Sequence, residues 1–360
     1  MRIENVTDAT EPAIDLKSML PEELEALLKE LGQPAYRAGQ LFSWLSKGVS
    51  GFEEMKNLPL ALREALAQRT RLDSLRCLRK QTSSDGTVKL LWELRDGNSV
   101  ETVVMRYDHG LTVCISSQVG CRMGCGFCAS TLGGLVRNLS AGEMLEEVLR
   151  SQAEAGERVS HVVLMGIGEP LDNYDNVLRF LKLATHPKGL NLSMRHISLS
   201  TCGLTEGIRR LAEEKLQLTL AISLHAPDDA TRSALMPVNR GAKLSQLEQA
   251  CKAYFRTTGR RITLEYAMIH QVNDSPAQAE QLAGLARRLG AHINLIPLNP
   301  VAERNLRPSS GARIRAFCQV LEQRGANYTI RRSLGGDVDA ACGQLRRRQE
   351  KERKGAETGQ

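Results

Sequence analysis

The stretch Cys121-Arg122-Met123-Gly124-Cys125-Gly126-Phe127-Cys128 decides how the rest of the chain is read. Three cysteines stand at Cys-x3-Cys-x2-Cys spacing, with an aromatic residue before the last. Thiolates are the soft ligands that zinc and iron–sulfur clusters select. Three so close together can hold three irons of a [4Fe–4S] cube and leave the fourth iron open to a ligand. A structural zinc site wants a closed set of four. Cys114, seven residues upstream, could complete such a set. A zinc knot and three unrelated buried thiols therefore stand beside the cluster as alternatives.

Around that loop lies a chain of 360 residues, enough for a large domain and a smaller one. An apolar fraction of 42% and a mean hydropathy of -0.28 fit a globular protein with a sizeable core. The first residues lack the apolar run of a signal peptide, and no stretch of about 18 apolar residues occurs. No membrane association is expected. The nine cysteines, an odd count without a secretion signal, argue for a reducing, cytoplasmic setting and for metal or redox chemistry. A net charge of +7 is compatible with a polyanionic partner.

The pattern predicts an α/β protein with appendages. Residues 1–76 read as an N-terminal helical accessory domain: Pro21 and two acids open a helix that places Leu24, Leu27, Leu28 and Leu31 on one face. Its basic edge could dock RNA, or the module could pack against the main domain. Residues 77–110 read as a β-hairpin extension about the Asp96-Gly97 turn. From 111 to 334, apolar strands alternate with amphipathic helices. Ser140 to Glu143 is a capping box, and Ser275-Pro276 starts a later helix. Six βα units of this kind make a partial (β/α)6 barrel, with ligands at the C-terminal strand ends. Residues 335–348 form a separate C-terminal motif, and 349–360 a charged tail.

Those strand ends hold polar residues. Gly168-Glu169-Pro170 closes the second strand; its small residues let backbone approach a ligand, and Glu169 could accept hydrogen bonds from an ammonium group. Ser200, then Ser223-Leu224-His225, and Asn299 end later strands. Together they would line one mouth with donors and acceptors.

Taken in order, Val100-Glu101-Thr102-Val103, the run from Cys114 to Cys121, Phe127-Cys128-Ala129-Ser130-Thr131, Gly-Glu-Pro, Ser-Leu-His and Asp337-Val-Asp-Ala-Ala-Cys342-Gly-Gln-Leu carry a specific resemblance. Over nearly its whole length the chain resembles the radical S-adenosylmethionine (SAM) adenine methyltransferases of the RlmN/Cfr group. The resemblance implies a radical SAM barrel, one [4Fe–4S] cluster on Cys121, Cys125 and Cys128, and SAM held by Gly168, Glu169, Ser200, Ser223, Leu224, His225 and Asn299. Two SAM molecules would be used per turnover. The first methylates the thiolate of Cys342. The second yields a 5′-deoxyadenosyl radical that takes hydrogen from the S-methyl group, and the resulting carbon adds to the base. Cys114 then releases the adduct by forming a disulfide with Cys342, and Glu101 accepts a proton.

The substrate so implied is an adenine of 23S rRNA, methylated at carbon 2, and for the RlmN branch also one in tRNA beside the anticodon. An electron donor such as flavodoxin or ferredoxin is implied, and a monomer is expected. Carbon-8 methylation, as in the Cfr branch, is the alternative within the enzyme class; a zinc-containing RNA-binding protein without chemistry is the alternative outside it. Read by position alone, Glu101 is a solvent-facing hairpin residue. Cys77, Cys202, Cys251 and Cys318 read as packing or incidental. Arg331, Arg332 and the run Arg346–Arg348 are candidate phosphate contacts.

Overall fold

The computed structural model describes residues 14–332, 343–349 and 352. Its first elements are the strand β1 (Ile14–Asp15), the helices α1 (Pro21–Glu30), α2 (Tyr36–Leu45) and α3 (Leu60–Arg69), and the strand β2 (Thr70–Arg71), which pairs in parallel with β1. In α1 the apolar face closes on itself through Leu24, Leu27 and Leu28, and the Glu23 carboxylate accepts the Leu20 N–H at 2.8 Å. This unit packs on the main body. Lys17 Nζ lies 2.7 Å from Glu146 with both side chains 1% exposed, and the Gly142 N–H donates to Ser18 Oγ. Of the two readings of this module, the packing one describes its inner face.

Next come β3 (Arg76–Thr82), β4 (Val88–Glu93), β5 (Ser99–Tyr107) and β6 (Gly110–Ile115), each antiparallel to the next. The hairpin about Asp96-Gly97 is the β4–β5 pair. A third strand, β3, joins it. Its sequence, Arg-Cys-Leu-Arg-Lys-Gln-Thr, hides the strand because it is a charged, largely exposed edge with almost no apolar alternation.

The chain then enters a short clasp, β7 (Gln118–Gly120) against β8 (Leu135–Asn138), that brackets the cysteine loop. Beyond it run α4 (Ala141–Ala155), β9 (Val159–Leu164), α5 (Tyr174–Thr185), β10 (Ile197–Thr201), α6 (Thr205–Glu213), β11 (Thr219–Ser223), α7 (Asp229–Leu235), α8 (Leu244–Thr258), β12 (Thr263–Met268), α9 (Pro276–Leu289), β13 (His292–Pro297), α10 (Gly311–Gln323) and β14 (Tyr328–Ile330). One ten-stranded sheet results, in the order β14-β13-β12-β11-β10-β9-β6-β5-β4-β3. Strands β6 and β9 to β13 are the six parallel strands of the expected barrel, and β14 adds a parallel edge. Val162, Leu199, Leu220, Ile222, Leu264 and Ile293 are fully or almost fully buried between sheet and helices. Both expected caps form: Ser140 and Glu143 exchange bonds at the start of α4, as Ser275 and Gln278 do at α9. Among the described residues no helix is long and apolar enough to cross a membrane.

Candidate active site

A cavity of about 330 Å³ opens at the C-terminal ends of the parallel strands. Cys121, Cys125, Cys128, Gly168, Glu169, Ser200, Ser223, His225, Asn299 and Cys114 all line it. Residues spread over nearly two hundred positions therefore meet because parallel strands deliver every C-terminal end to one mouth.

Backbone bonds fix the cysteine loop. The Cys121 N–H donates to Gly134 O across the clasp at 2.9 Å, and the Gly126 N–H to Leu235 O at 2.8 Å. Thr131 Oγ1 donates to the carbonyls of Cys125 and Cys128 at 3.2 and 3.0 Å. Cys121 and Cys125 are buried and Cys128 is half-buried. Burial pushes the Cys121 thiol up to about 12 and the Cys125 thiol higher still; the neighbouring thiolates add to both. Binding to a cationic group displaces the thiol protons, and three thiolates on one fixed loop are the soft donor set that an iron–sulfur cluster takes. Among the described residues no three His, Cys, Asp or Glu side chains close round a single ion. A cube asks for less convergence, because each thiolate binds a different iron.

Gly168 carries a φ of +109°, and a Cβ there would stand 2.6 Å from the Gln118 Cβ. Only glycine lets this βα turn lie against the clasp. Glu169 follows, 3% exposed. Its carboxylate accepts the Leu171 N–H at 3.0 Å and the Cys202 N–H at 2.7 Å, while its own N–H donates to Gln118 Oε1 at 2.9 Å. Burial raises its pKa against these hydrogen bonds. The residue ties the ends of β9 and β10 together as well as facing the cavity.

His225 sits at a φ of +55° with Nδ1 accepting the Ala267 N–H at 3.0 Å. That bond leaves the ring proton on Nε2, and Phe127 packs edge-on against the ring at 4.7 Å. Burial, helped by the Arg232 guanidinium, pushes the imidazole down to about 3, so it is neutral at physiological pH. Leu224 differs from its neighbours: its side chain is fully buried in the core and does not line the cavity. It follows the last residue of β11, and its N–H donates to Glu265 O at 3.0 Å.

Three site features escaped the sequence reading. Glu265 lines the cavity and accepts from Ser200 Oγ at 2.6 Å and Ser223 Oγ at 3.3 Å. An acid in the apolar strand Thr-Leu-Glu-Tyr-Ala-Met was the signal that could have exposed it. Arg232, 1% exposed, donates to the carbonyls of Cys202 and Leu224 and to Asn239. Cys202 packs in the apolar cluster beside Cys125 and also lines the cavity, whereas Cys251 and Cys318 belong to the main core.

The solvent-facing reading of Glu101 is overturned. The side chain is 3% exposed and paired with Lys89 Nζ at 3.0 Å. It does not line the cavity; its carboxylate accepts the N–H groups of Gly343 and Arg346. A hairpin residue becomes buried here because the C-terminal segment lies over it. Cys342, and the motif from Gly335 onward as far as that cysteine, fall outside the described residues. Arg331 and Arg332 reach the cavity mouth.

Comparison with known proteins agrees with this geometry. Residues 115–283 match the family model "Radical SAM superfamily", and residues 14–72 match "Ribosomal RNA large subunit methyltransferase N-terminal domain". A partial barrel with three cysteines in a loop at its mouth defines a radical SAM enzyme, which carries an iron–sulfur cluster and uses SAM. The chain is 51% identical to a probable dual-specificity RNA methyltransferase RlmN of Desulforamulus reducens, over 94% of its own length and 97% of that protein's. It is 50% identical to the counterpart of Bacillus thuringiensis, over 93% and 94%. The crystal structure of a radical SAM methyltransferase from Sphaerobacter thermophilus superposes with a TM-score of 0.88 at 45% identity, covering 92% of this chain and 98% of that one. The chain belongs to the RlmN family of radical SAM RNA methyltransferases.

Proposed function

We propose that this enzyme methylates carbon 2 of an adenine in 23S rRNA and of an adenine beside the anticodon in tRNA. Supporting this reading, one observation stands above the rest. Cys114, a thiol that three-cysteine cluster binding does not need, lines the same cavity as Cys121, Cys125 and Cys128. A cluster alone leaves it without purpose.

Carbon 2 of adenine is electrophilic, so a methyl cation has no affinity for it. The cluster, when bound through Cys121, Cys125 and Cys128, supplies the electron that cleaves SAM. Cys342 provides the other half of the chemistry: its thiolate takes a methyl group from one SAM by displacement and carries it as a thioether. Bonding that carbon to the base removes one hydrogen atom from the S-methyl group, taken by the 5′-deoxyadenosyl radical of the second SAM. The adduct then gives up one electron, returned to the cluster, and the carbon-2 proton. Cys114 then attacks the sulfur of Cys342. The S–S bond forms, the carbon–sulfur bond breaks, and its electrons pass to the carbon left on the base, which takes up a proton to become the methyl group. A two-electron thiol reductant must then reopen the disulfide, and a one-electron donor such as flavodoxin or ferredoxin serves the cluster. Gly168, Glu169, Ser200, Ser223, His225 and Asn299, all around the cavity, hold SAM. Glu101 is the family's proton acceptor. The target base must leave its stack to reach the cavity, and Arg331 and Arg332 offer charge for its phosphates. In this reading the enzyme works as a cytoplasmic monomer.

The test is nucleoside mass spectrometry of unmodified 23S rRNA and tRNA after incubation with reconstituted enzyme, SAM and reductant. Synthetic 2-methyladenosine and 8-methyladenosine serve as standards. Product at carbon 2 in both RNAs is expected. Product at carbon 8, or none in tRNA, overturns the corresponding part of the reading.

A further inference from the structure

We propose that Lys89 is a positioning residue for the segment that carries Cys342, acting through Glu101; this rests on Cys342 being the methyl carrier. Lys89 lies on β4 and Glu101 on β5, at diagonal positions of one sheet face, since Leu91 is the partner of Glu101 and Lys89 that of Val103. Their side chains are 0% and 3% exposed and 3.0 Å apart. Taking both charges out of water is costly, and apolar residues would fill the space at least as stably. The pair is explained by what the carboxylate does with its remaining lone pairs.

Glu101 Oε2 accepts the Gly343 N–H at 2.7 Å, and Oε1 accepts the Arg346 N–H at 2.6 Å. These two amides open the helical turn over residues 344–349. A helix start is ordinarily capped by a side chain of its own sequence; this one is capped from 242 residues away. On the other side Gly343 is pressed against the residue two beyond Cys128. Its φ is +84°, and a Cβ would meet Ser130 N at 2.9 Å. Leu345 is fully buried, and Gln344 Nε2 donates to Pro300 O at 2.7 Å. The residue bonded to Cys342 is thus clamped between Glu101 and the cluster loop. Lys89 Nζ, 3.0 Å from Oε2, holds the buried carboxylate aimed at these two amides and balances its charge.

The test is hydrogen exchange by mass spectrometry on the full-length holoenzyme, with Lys89→Met, the charge-free double variant Lys89→Met/Glu101→Gln, and Gly343→Ala. Exchange of the peptide 343–349 should quicken about tenfold in each variant, the effect of losing a helix cap, with peptides of β10 to β12 unchanged. Gly343→Ala should loosen the segment through Ser130 while the ion pair stays whole. As a second readout, Lys89→Met should carry about tenfold less S-methyl on Cys342 at unchanged iron content, where a merely structural role would lower both together. If Lys89→Met does not fold, the double variant decides, because neither charge is then left buried alone. Unchanged exchange of 343–349 in a folded variant overturns the proposal. A loosened segment in enzyme whose wild type never carries S-methyl-cysteine upholds the clamp and overturns the methyl-carrier reading instead.

Discussion

Ser200 Oγ donates to Oε2 of Glu265 at 2.6 Å, joining β10 and β12 through one carboxylate. The strand between them contributes Ser223, whose hydroxyl lies 3.2 Å from that of Ser200. One acid thus organises the polar wall of the cavity. In Glu265→Ala both hydroxyls lose their shared acceptor, and SAM affinity should fall about tenfold or more. Iron content should not change. Equilibrium binding of SAM to reconstituted enzyme checks this, and an unaltered Kd would remove Glu265 from the site.

The cluster assignment separates four neighbouring thiols. Alanine at Cys121, Cys125 or Cys128 should bring iron and sulfide to background, whereas Cys202→Ala should retain both. Cys202 faces the same cavity, so it is the sharp control. Iron retained in Cys125→Ala, or lost in Cys202→Ala, would mean that the wrong thiols have been chosen.

Cys342→Ala and Cys114→Ala should fail in different ways. The first has no sulfur to methylate and should give neither product nor a covalent protein–RNA species. The second can take up the methyl group and reach the base but has no nucleophile to release it. It should accumulate an RNA crosslink, visible on a denaturing gel and removed by RNase. Full turnover in Cys114→Ala would exclude the two-thiol scheme even with the cluster in place.

His225 gives a pH dependence with a definite sign. Its folded pKa is pushed from an ordinary 6.5 down to about 3. Between those values the unfolded chain binds the extra proton, so stability is lost as pH falls from about 6.5 toward about 3. Asparagine tolerates the positive φ and can accept the Ala267 N–H. His225→Asn should therefore show a shallower loss of stability than wild type across that window. Urea midpoints at several pH values measure it, and parallel curves would mean that His225 does not titrate as its burial requires.

By itself the sequence determined the cluster loop, the alternation of strands and helices, and which strand ends are polar. These are local properties: thiol spacing, apolar period and capping chemistry depend on residues near one another in the chain. Cys121 to Cys128 and the Ser140–Glu143 box could be read for that reason. The three-dimensional fold alone decided what Glu101, Glu265, Arg232 and Cys202 do. Each was ordinary in its own segment, and each takes its meaning from groups on other elements: Glu101 from Gly343 and Arg346, Glu265 from Ser200, Arg232 from the carbonyls of Cys202 and Leu224. The exposed edge strand β3 stayed hidden because nothing apolar marks it. Leu224, read as a site residue from its place between Ser223 and His225, has its side chain in the core, which the local sequence did not show. Burial and long-range hydrogen bonding are set by how the sheet brings distant residues together, and no local pattern encodes that.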